Sequence, residues 1–236
     1  MTLAAGGSTF SASGPPCYSA LVNDWICPAY VSDRRTEIAD ALLEHVLITL
    51  AAVALGFVLA LPLALVARRY TAVESAIVAA TTIIYTVPSL ALFALLVNIT
   101  ALSPWTVIIG LALYTLTILV RNMLAGLRDV PADVKESAVG LGYGPGRLLL
   151  RVELPLALPV IMAGLRVATV STVALTTVGT LVAYGGLGDL LSNGIRTDFK
   201  AQILTASVLC VALAVVFDAL LMGTQRVLTP WTRGRK

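Results

Sequence analysis

The chain is short of nearly everything a soluble catalytic domain uses. Of its 236 residues only 12% are charged and 6% are aromatic, with one histidine and three cysteines. An ordinary soluble domain carries about 25% charged residues. That deficit, set beside 58% hydrophobic residues and a mean hydropathy of +0.92, excludes a water-exposed globule and implies an integral membrane protein. His45, Cys17, Cys27 and Cys210 stand at no ligand spacing such as CxxC or HxxxH, which argues against any metal site. There is also no GxxxxGK[ST] phosphate loop: Gly140 to Gly146 is glycine-rich but has no lysine to reach a phosphate. No catalytic residue and no bound cofactor is therefore expected in this chain. The amino terminus lacks the basic block and apolar run of a cleavable signal peptide, and 1–31 reads as an external flexible tail.

What the chain has in abundance is uncharged apolar sequence. Crossing a hydrocarbon core of about 30 Å takes about 20 helical residues. Five such spans are predicted, at about 46–67, 75–97, 104–120, 157–184 and 201–224, within a transmembrane domain covering 46–224. Asn98, Thr100, Ser103 and Pro104 supply the turn between the second and third. An odd number of crossings puts the termini on opposite sides. With the amino terminus outside, every Lys and Arg except Arg34, Arg35, Arg196 and Lys200 faces the cytoplasm, including the basic tail 225–236. The net charge of +3 thus reports orientation, and no nucleic-acid partner is expected. Ahead of the first span, Ser32 can cap an interfacial helix over 32–45 that carries His45 as a half-buried residue. Cys17 and Cys27 fall outside, where they can form a disulfide or remain two free thiols.

One polar segment interrupts this pattern, a cytoplasmic loop over 128–156. It reads Glu136-Ser137-Ala138, then Gly142, then Val152-Glu153-Leu154-Pro155. Pro131 suits a first helical turn, Asp129 and Asp133 suit its positive end, and Val134, Ala138 and Leu141 recur at i, i+4, i+7. Gly140 and Gly142 stop that helix. A second helix is expected from Arg147 until Pro155 and Pro159 disturb the chain.

The spacing of Glu136, Ala138, Gly142, Val152, Leu154 and Pro155 resembles the EAA loop of the membrane subunits of binding-protein-dependent ABC importers, with Ser137 in place of the usual alanine. Further stretches resemble the permeases for glycine betaine, carnitine and choline: Thr86-Val87-Pro88-Ser89-Leu90-Ala91-Leu92, Val120-Arg121-Asn122, Arg151 to Gly164, and Gly185-Gly186-Leu187-Gly188-Asp189. The resemblance implies an all-α type I importer fold of five transmembrane helices in the cell membrane of a prokaryote. It implies separate cytoplasmic ATPase subunits that bind ATP and Mg, a second permease copy or paralogue, an external solute-binding protein and surrounding lipid. The EAA helix would then be a coupling helix, with Val134, Ala138 and Leu141 packed in a groove of the ATPase, Glu136 at its rim and Gly142 allowing close approach. The implied cargo is an osmoprotective quaternary ammonium compound; the same machinery could carry an amino acid or another small polar solute. An ATP-independent channel or ion-coupled carrier would instead need ionisable relays inside the spans and no docking helix.

Within the spans, two groups of polar side chains are candidates for the translocation path. Thr82, Tyr85, Thr86, Pro88 and Ser89 form a patch in the second span, where the face of Tyr85 suits a quaternary ammonium. Thr169, Thr172, Thr176 and Thr180 form a stripe in the fourth that suits either a path or helix packing. Arg166 and Asp218 are the charges furthest inside predicted spans, and are expected either to pair near an inner gate or to reach the interface separately. The Gly185 to Gly188 turn and the surface segment Asp189 to Phe199 are candidates for contact with the binding protein.

Overall fold

The computed structural model describes residues 17–231. Residues 1–16 of the expected tail, and Arg233, Arg235 and Lys236 of the basic tail, lie outside the described residues. Among the described residues ten α-helices occur in order: α1 Pro28–Asp33, α2 Arg35–Arg69, α3 Thr71–Thr86, α4 Ser89–Thr100, α5 Pro104–Arg128, α6 Ala132–Gly140, α7 Pro145–Leu148, α8 Leu154–Thr176, α9 Leu187–Arg196 and α10 Lys200–Leu228. A π-helical turn, Leu149–Glu153, leads into α8, and a 3-10 segment, Thr177–Val182, leaves it. Four stretches are long and apolar enough to cross a membrane, Arg35–Arg69, Pro104–Arg128, Pro145–Val182 and Lys200–Leu228. The pair α3 and α4 makes a fifth only as a broken span, bent by 99°.

That break corrects the continuous second span expected over 75–97. A proline disfavours helical conformation in the residue before it and removes one backbone donor. Val87 and Pro88 accordingly lie extended, at φ/ψ of −66/129 and −58/135. The carbonyl of Val87, which no helix now uses, accepts the hydroxyl of Tyr114 on α5. Pro62 sits inside α2 and Pro159 inside α8 without ending either helix.

The outer end also departs from expectation. There is no separate interfacial helix over 32–45: α2 runs unbroken from Arg35 through the membrane, and Ser32 lies in α1 with its hydroxyl on Ala29 O at 2.9 Å, so it caps nothing. Residues 17–31 are ordered against the rest of the chain. Cys17 and Cys27 are joined by a disulfide, and Tyr30 is buried with its ring 5.0 Å from that of Phe199. His45 is fully buried, between Val173 O at 3.0 Å and Gly185 O at 3.2 Å.

α5 is the central helix, packed on α2 and α8, and its inner half anchors a core of Leu116, Leu119, Val120, Met123 and Leu127 against Ala60, Ala64 and Ala67 of α2 and Ala157 and Ile161 of α8. Small residues set the spacing of these crossings, as in membrane helix packing generally. A Cβ on Gly56 would fall 1.8 Å from Thr115 Oγ1 and 3.2 Å from Ala112 O; one on Gly164 would fall 2.4 Å from Asn122 Cβ. Gly56→Val should therefore cost about 1–3 kcal/mol through forced separation of α2 and α5. Gly223→Ala on α10 meets open space and should be neutral or stabilising by about 0.5–1 kcal/mol, as Ala is the better helix former. Thermal unfolding of the two purified variants in detergent, compared with the parent, checks both signs.

Candidate functional site

The polar loop folds as a short helix at one end of the spans, with Lys135 Nζ donating to Leu127 O of α5 at 3.5 Å. Asp133 lies in the first turn of α6, and the helix ends in two bonds of a Schellman motif: Tyr143 N–H donates to Ala138 O at 3.1 Å and Gly142 N–H to Val139 O at 2.9 Å. This geometry needs a left-handed residue at Gly142, which has φ +82. Nothing lies within 4 Å of where its side chain would be, so the chain's own demand on Gly142 is conformational. Ser137 returns its hydroxyl to Asp133 O at 2.7 Å, and Glu136 is exposed.

The expected docking stripe is split. Ala138 is buried and Val134 half-buried, and the packing partners of α6 are α7 and the π-helical turn. These two residues hold the loop together. The outward apolar side chains are Leu141, 79% exposed, and Val139, 56% exposed. Val134, Ala138 and Leu141 share a helical period, yet α7 and the π-helical turn cover the first two and leave only Leu141 outward.

That second half is not an independent helix ending at Pro155. α7 passes through the π-helical turn directly into α8, and the turn explains how. Proline clashes with the carbonyl four residues back, here that of Arg151, and the wider turn over Leu149–Glu153 carries the chain past it so that helix continues through Leu154 and Pro155. Val152, Leu154 and Pro155 are half-buried in this junction. Glu153, which the pattern contains but no expectation used, is 1% exposed and pairs with Arg68 at the inner end of α2. A second ion pair, Arg128 with Glu74, joins the inner ends of α5 and α3. The loop is thus fastened to the spans by charge as well as by chain.

The threonine stripe faces inward. Thr169, Thr172 and Thr176 are buried, each bonding the carbonyl four residues earlier at 2.7 to 2.8 Å, and Thr176 also meets Thr49 of α2 at 3.2 Å. Thr180 is half-buried in the 3-10 segment. In this structure these residues pack the subunit together, the second of the two uses that the stripe suits. The face of α8 left open carries Ala163, Val167, Val170 and Ala174 instead.

At the Pro88 break the polar side chains are more open. Tyr85 is 46% exposed, edge-on to Tyr114 at 5.9 Å, and Thr86 and Pro88 are exposed while Ser89 is half-buried. Thr82 and Thr86 line an open cavity of about 540 Å³ with Glu74, Val78, Ile83 and Arg121. Arg121 donates to Thr82 Oγ1 at 2.8 Å, placing a cation on the wall of this cavity.

Arg166 and Asp218 meet through two hydrogen bonds, Nε to Oδ1 at 2.7 Å and Nη2 to Oδ2 at 2.8 Å, joining α8 to α10. The pair borders a second open cavity of about 580 Å³. At the outer end, the turn after the 3-10 segment is tied to α2: a Cβ on Gly186, at φ +56, would strike His45 and Ala41 O, and Gly185 N–H donates to Asp189 Oδ2 at 3.2 Å.

With this geometry in hand, comparison with known proteins is informative. The family described as binding-protein-dependent transport system inner membrane component matches residues 47–234. A glycine betaine/carnitine/choline transport system permease protein of Bacillus subtilis is 35% identical over 202 residues, covering 85% of this chain and 88% of that protein. An osmoprotectant import permease protein of Salmonella typhimurium is 33% identical over 207 residues, covering 85% and 96%. Among solved structures, the methionine ABC transporter in an inward-facing conformation superposes with a TM-score of 0.74 at 20% identity, over 84% of this chain and 98% of that one. The fold is therefore that of a type I ABC importer permease.

The Glu153 pair generates a prediction. Removing one partner of a buried pair leaves the other charge uncompensated, whereas replacing both by apolar groups is often neutral. Glu153→Ala should destabilise by about 2–3 kcal/mol, less than a fully buried pair because Arg68 keeps 30% exposure. Arg68→Leu combined with Glu153→Leu should recover most of that loss. Thermal unfolding of the single and double variants measures it.

Proposed function

The chain belongs to the family of binding-protein-dependent transport system inner membrane components, and from that membership we propose that it is the membrane permease of an ATP-driven importer for osmoprotectants such as glycine betaine, choline or carnitine. One observation carries the mechanism: α6 is a separate short helix ended by the Gly142 motif, and the turn that follows it is fastened to the spans through Glu153 and Arg68. A helix so mounted transmits displacement. ATP and Mg are bound by a separate cytoplasmic ATPase, and α6 docks on it through Leu141 and Val139, with Glu136 at the edge of the contact. Closure of the ATPase pushes α6, and the push reaches α8 through the π-helical turn and α2 through the ion pair.

The solute is delivered by an external binding protein and passes between this chain and a second permease, identical or paralogous. On this chain the path follows the open side of the Pro88 break. There a cation meets the exposed ring of Tyr85, worth about 0.5–1 kcal/mol at an exposed site and more when desolvated, with Thr86 beside it. The Arg166–Asp218 pair holds α8 to α10 on the cytoplasmic side and acts as a structural hinge of the inner gate. The amino terminus lies outside and the carboxyl terminus in the cytoplasm, in a prokaryotic cell membrane.

Two measurements test the reading. An ATPase should co-purify with the permease and be lost on Leu141→Asp or Glu136→Lys. Gly142→Trp should lose it too, but Gly142→Asn, which tolerates the left-handed conformation, should keep it. Uptake of labelled glycine betaine, choline, carnitine and an amino acid by proteoliposomes with the cognate binding protein identifies the cargo. Uptake without any ATPase would overturn the coupling role.

A further inference from the structure

Between its ends α5 carries a single charged side chain, Arg121. A charge inside a span is costly unless it faces protein or a water-filled cavity, and residues of this kind mark solute pathways. Arg121 is exposed on the wall of the cavity of about 540 Å³, whose lining also holds Glu74, Ser75, Thr82 and Thr86. Among the described residues it meets no carboxylate within ion-pair distance. Glu74 is taken by Arg128, and the Arg121 guanidinium rests on the hydroxyl of Thr82 at 2.8 Å.

Snorkelling does not account for the direction of this side chain. The Arg128–Glu74 pair marks the end of the domain nearer to Arg121, and an arginine seeking that interface would extend along α5 toward Arg128. Arg121 turns across to Thr82 instead, which stands eight residues, about 12 Å of helix, from Glu74. Its charge is thereby held at depth and in front of an opening. A guanidinium has five N–H donors, and the Thr82 bond uses one of them.

The neighbour one turn away decides what such a cation can take. Tyr85 follows Thr82 by three residues, about 4.5 Å along α3, and its ring is exposed. That ring stands edge-on to Tyr114, which shares one side of α5 with Arg121, seven residues further on. The two helices thus present an aromatic face, which attracts an ammonium, and a guanidinium, which takes a carboxylate through two parallel bonds. A solute that carries both charges a few bonds apart matches this separation. A solute with a cation alone meets Tyr85 and leaves the guanidinium to water.

On the import reading above, we propose that Tyr85 and Arg121 form one subsite for a zwitterion, with the carboxylate on Arg121 and the ammonium on the Tyr85 ring. Thr82 positions the guanidinium. Betaines and amino acids satisfy both ends, whereas choline, with a hydroxyl in place of the carboxylate, satisfies one. Arg121 therefore sets specificity at the permease, separately from the choice a binding protein makes on delivery.

Paired uptake measurements on the assembled transporter in proteoliposomes test this, with glycine betaine, choline and an amino acid each offered on a binding protein that delivers it. Parent and variant share the binding protein, so a change in the ratio of uptakes belongs to the permease. Arg121→Gln, which keeps a donor for Thr82, should lower the ratio of glycine betaine to choline uptake about tenfold or more. Arg121→Lys, which keeps the charge but not the fork, should recover part of that ratio. An unchanged ratio, whether both uptakes fall together or neither falls, overturns the proposal, because a purely structural arginine serves every solute alike. If the parent carries choline but no carboxylate-bearing solute, the osmoprotectant reading stands and the zwitterion subsite falls. If it carries an amino acid and no betaine, the osmoprotectant reading falls; loss of that uptake in Arg121→Gln and its return in Arg121→Lys would uphold the subsite.

Discussion

Inside hydrocarbon no water is available to a backbone amide or carbonyl, so every departure from regular helix must find its partner within the protein. The shape of this chain follows from where such partners exist. At Pro88 the carbonyl of Val87 is met by Tyr114, and the span can bend by 99°. At the end of α8, His45 lies against the carbonyls of Val173 and Gly185, and the helix can tighten to 3-10 and turn. In α8 Thr169, Thr172 and Thr176 return their hydroxyls to the preceding turn of their own helix, so the buried stripe leaves no hydroxyl unpaired. The one buried side-chain charge among the described residues, Glu153, has Arg68 beside it.

The same constraint governs how α6 is mounted on the spans. Between α6 and α8 the Schellman bonds end α6, α7 follows after Gly144, and the π-helical turn continues into α8 without a break. Arg68 and Glu153 add a connection to α2, and Arg128 and Glu74 tie α5 to α3 at the same level. At this end of the domain α8 is thus joined to α2, and α5 to α3. Their outer ends are fixed separately, by His45, by Gly186 against α2 and by the disulfide-held segment on Phe199.

Four of the crossing stretches, the polar loop and helix α6 were legible in the sequence because each rests on local signals: uncharged length and a proline-to-glycine helix frame. The broken span was not. Pro62, Pro88 and Pro159 look alike in sequence, and only Pro88 breaks its helix, with a tyrosine hydroxyl 27 residues later in the chain to take the freed carbonyl. The threonine stripe was ambiguous for a different reason. A path and a packing face share one helical period, and only the position of Thr49, 127 residues from Thr176, decides for packing. Glu153 went unassigned because its partner lies 85 residues away. The pairing of Cys17 with Cys27 was open in sequence, and the order it brings to 17–31 depends on Phe199, which no local pattern relates to Tyr30.

These long-range partners have a common property: they sit where helix geometry changes, at Val87, at Leu149 to Glu153, and at Val173 to Gly185. Regular helix needs no help from neighbours and is readable from one segment at a time. A place where helix is interrupted needs a donor or acceptor from elsewhere, so it can form only in the folded subunit. It is also the place where a modest force changes which groups are paired. The points that sequence could not resolve are consequently the points where helix is interrupted, and α6, through the π-helical turn, is mounted directly on one of them.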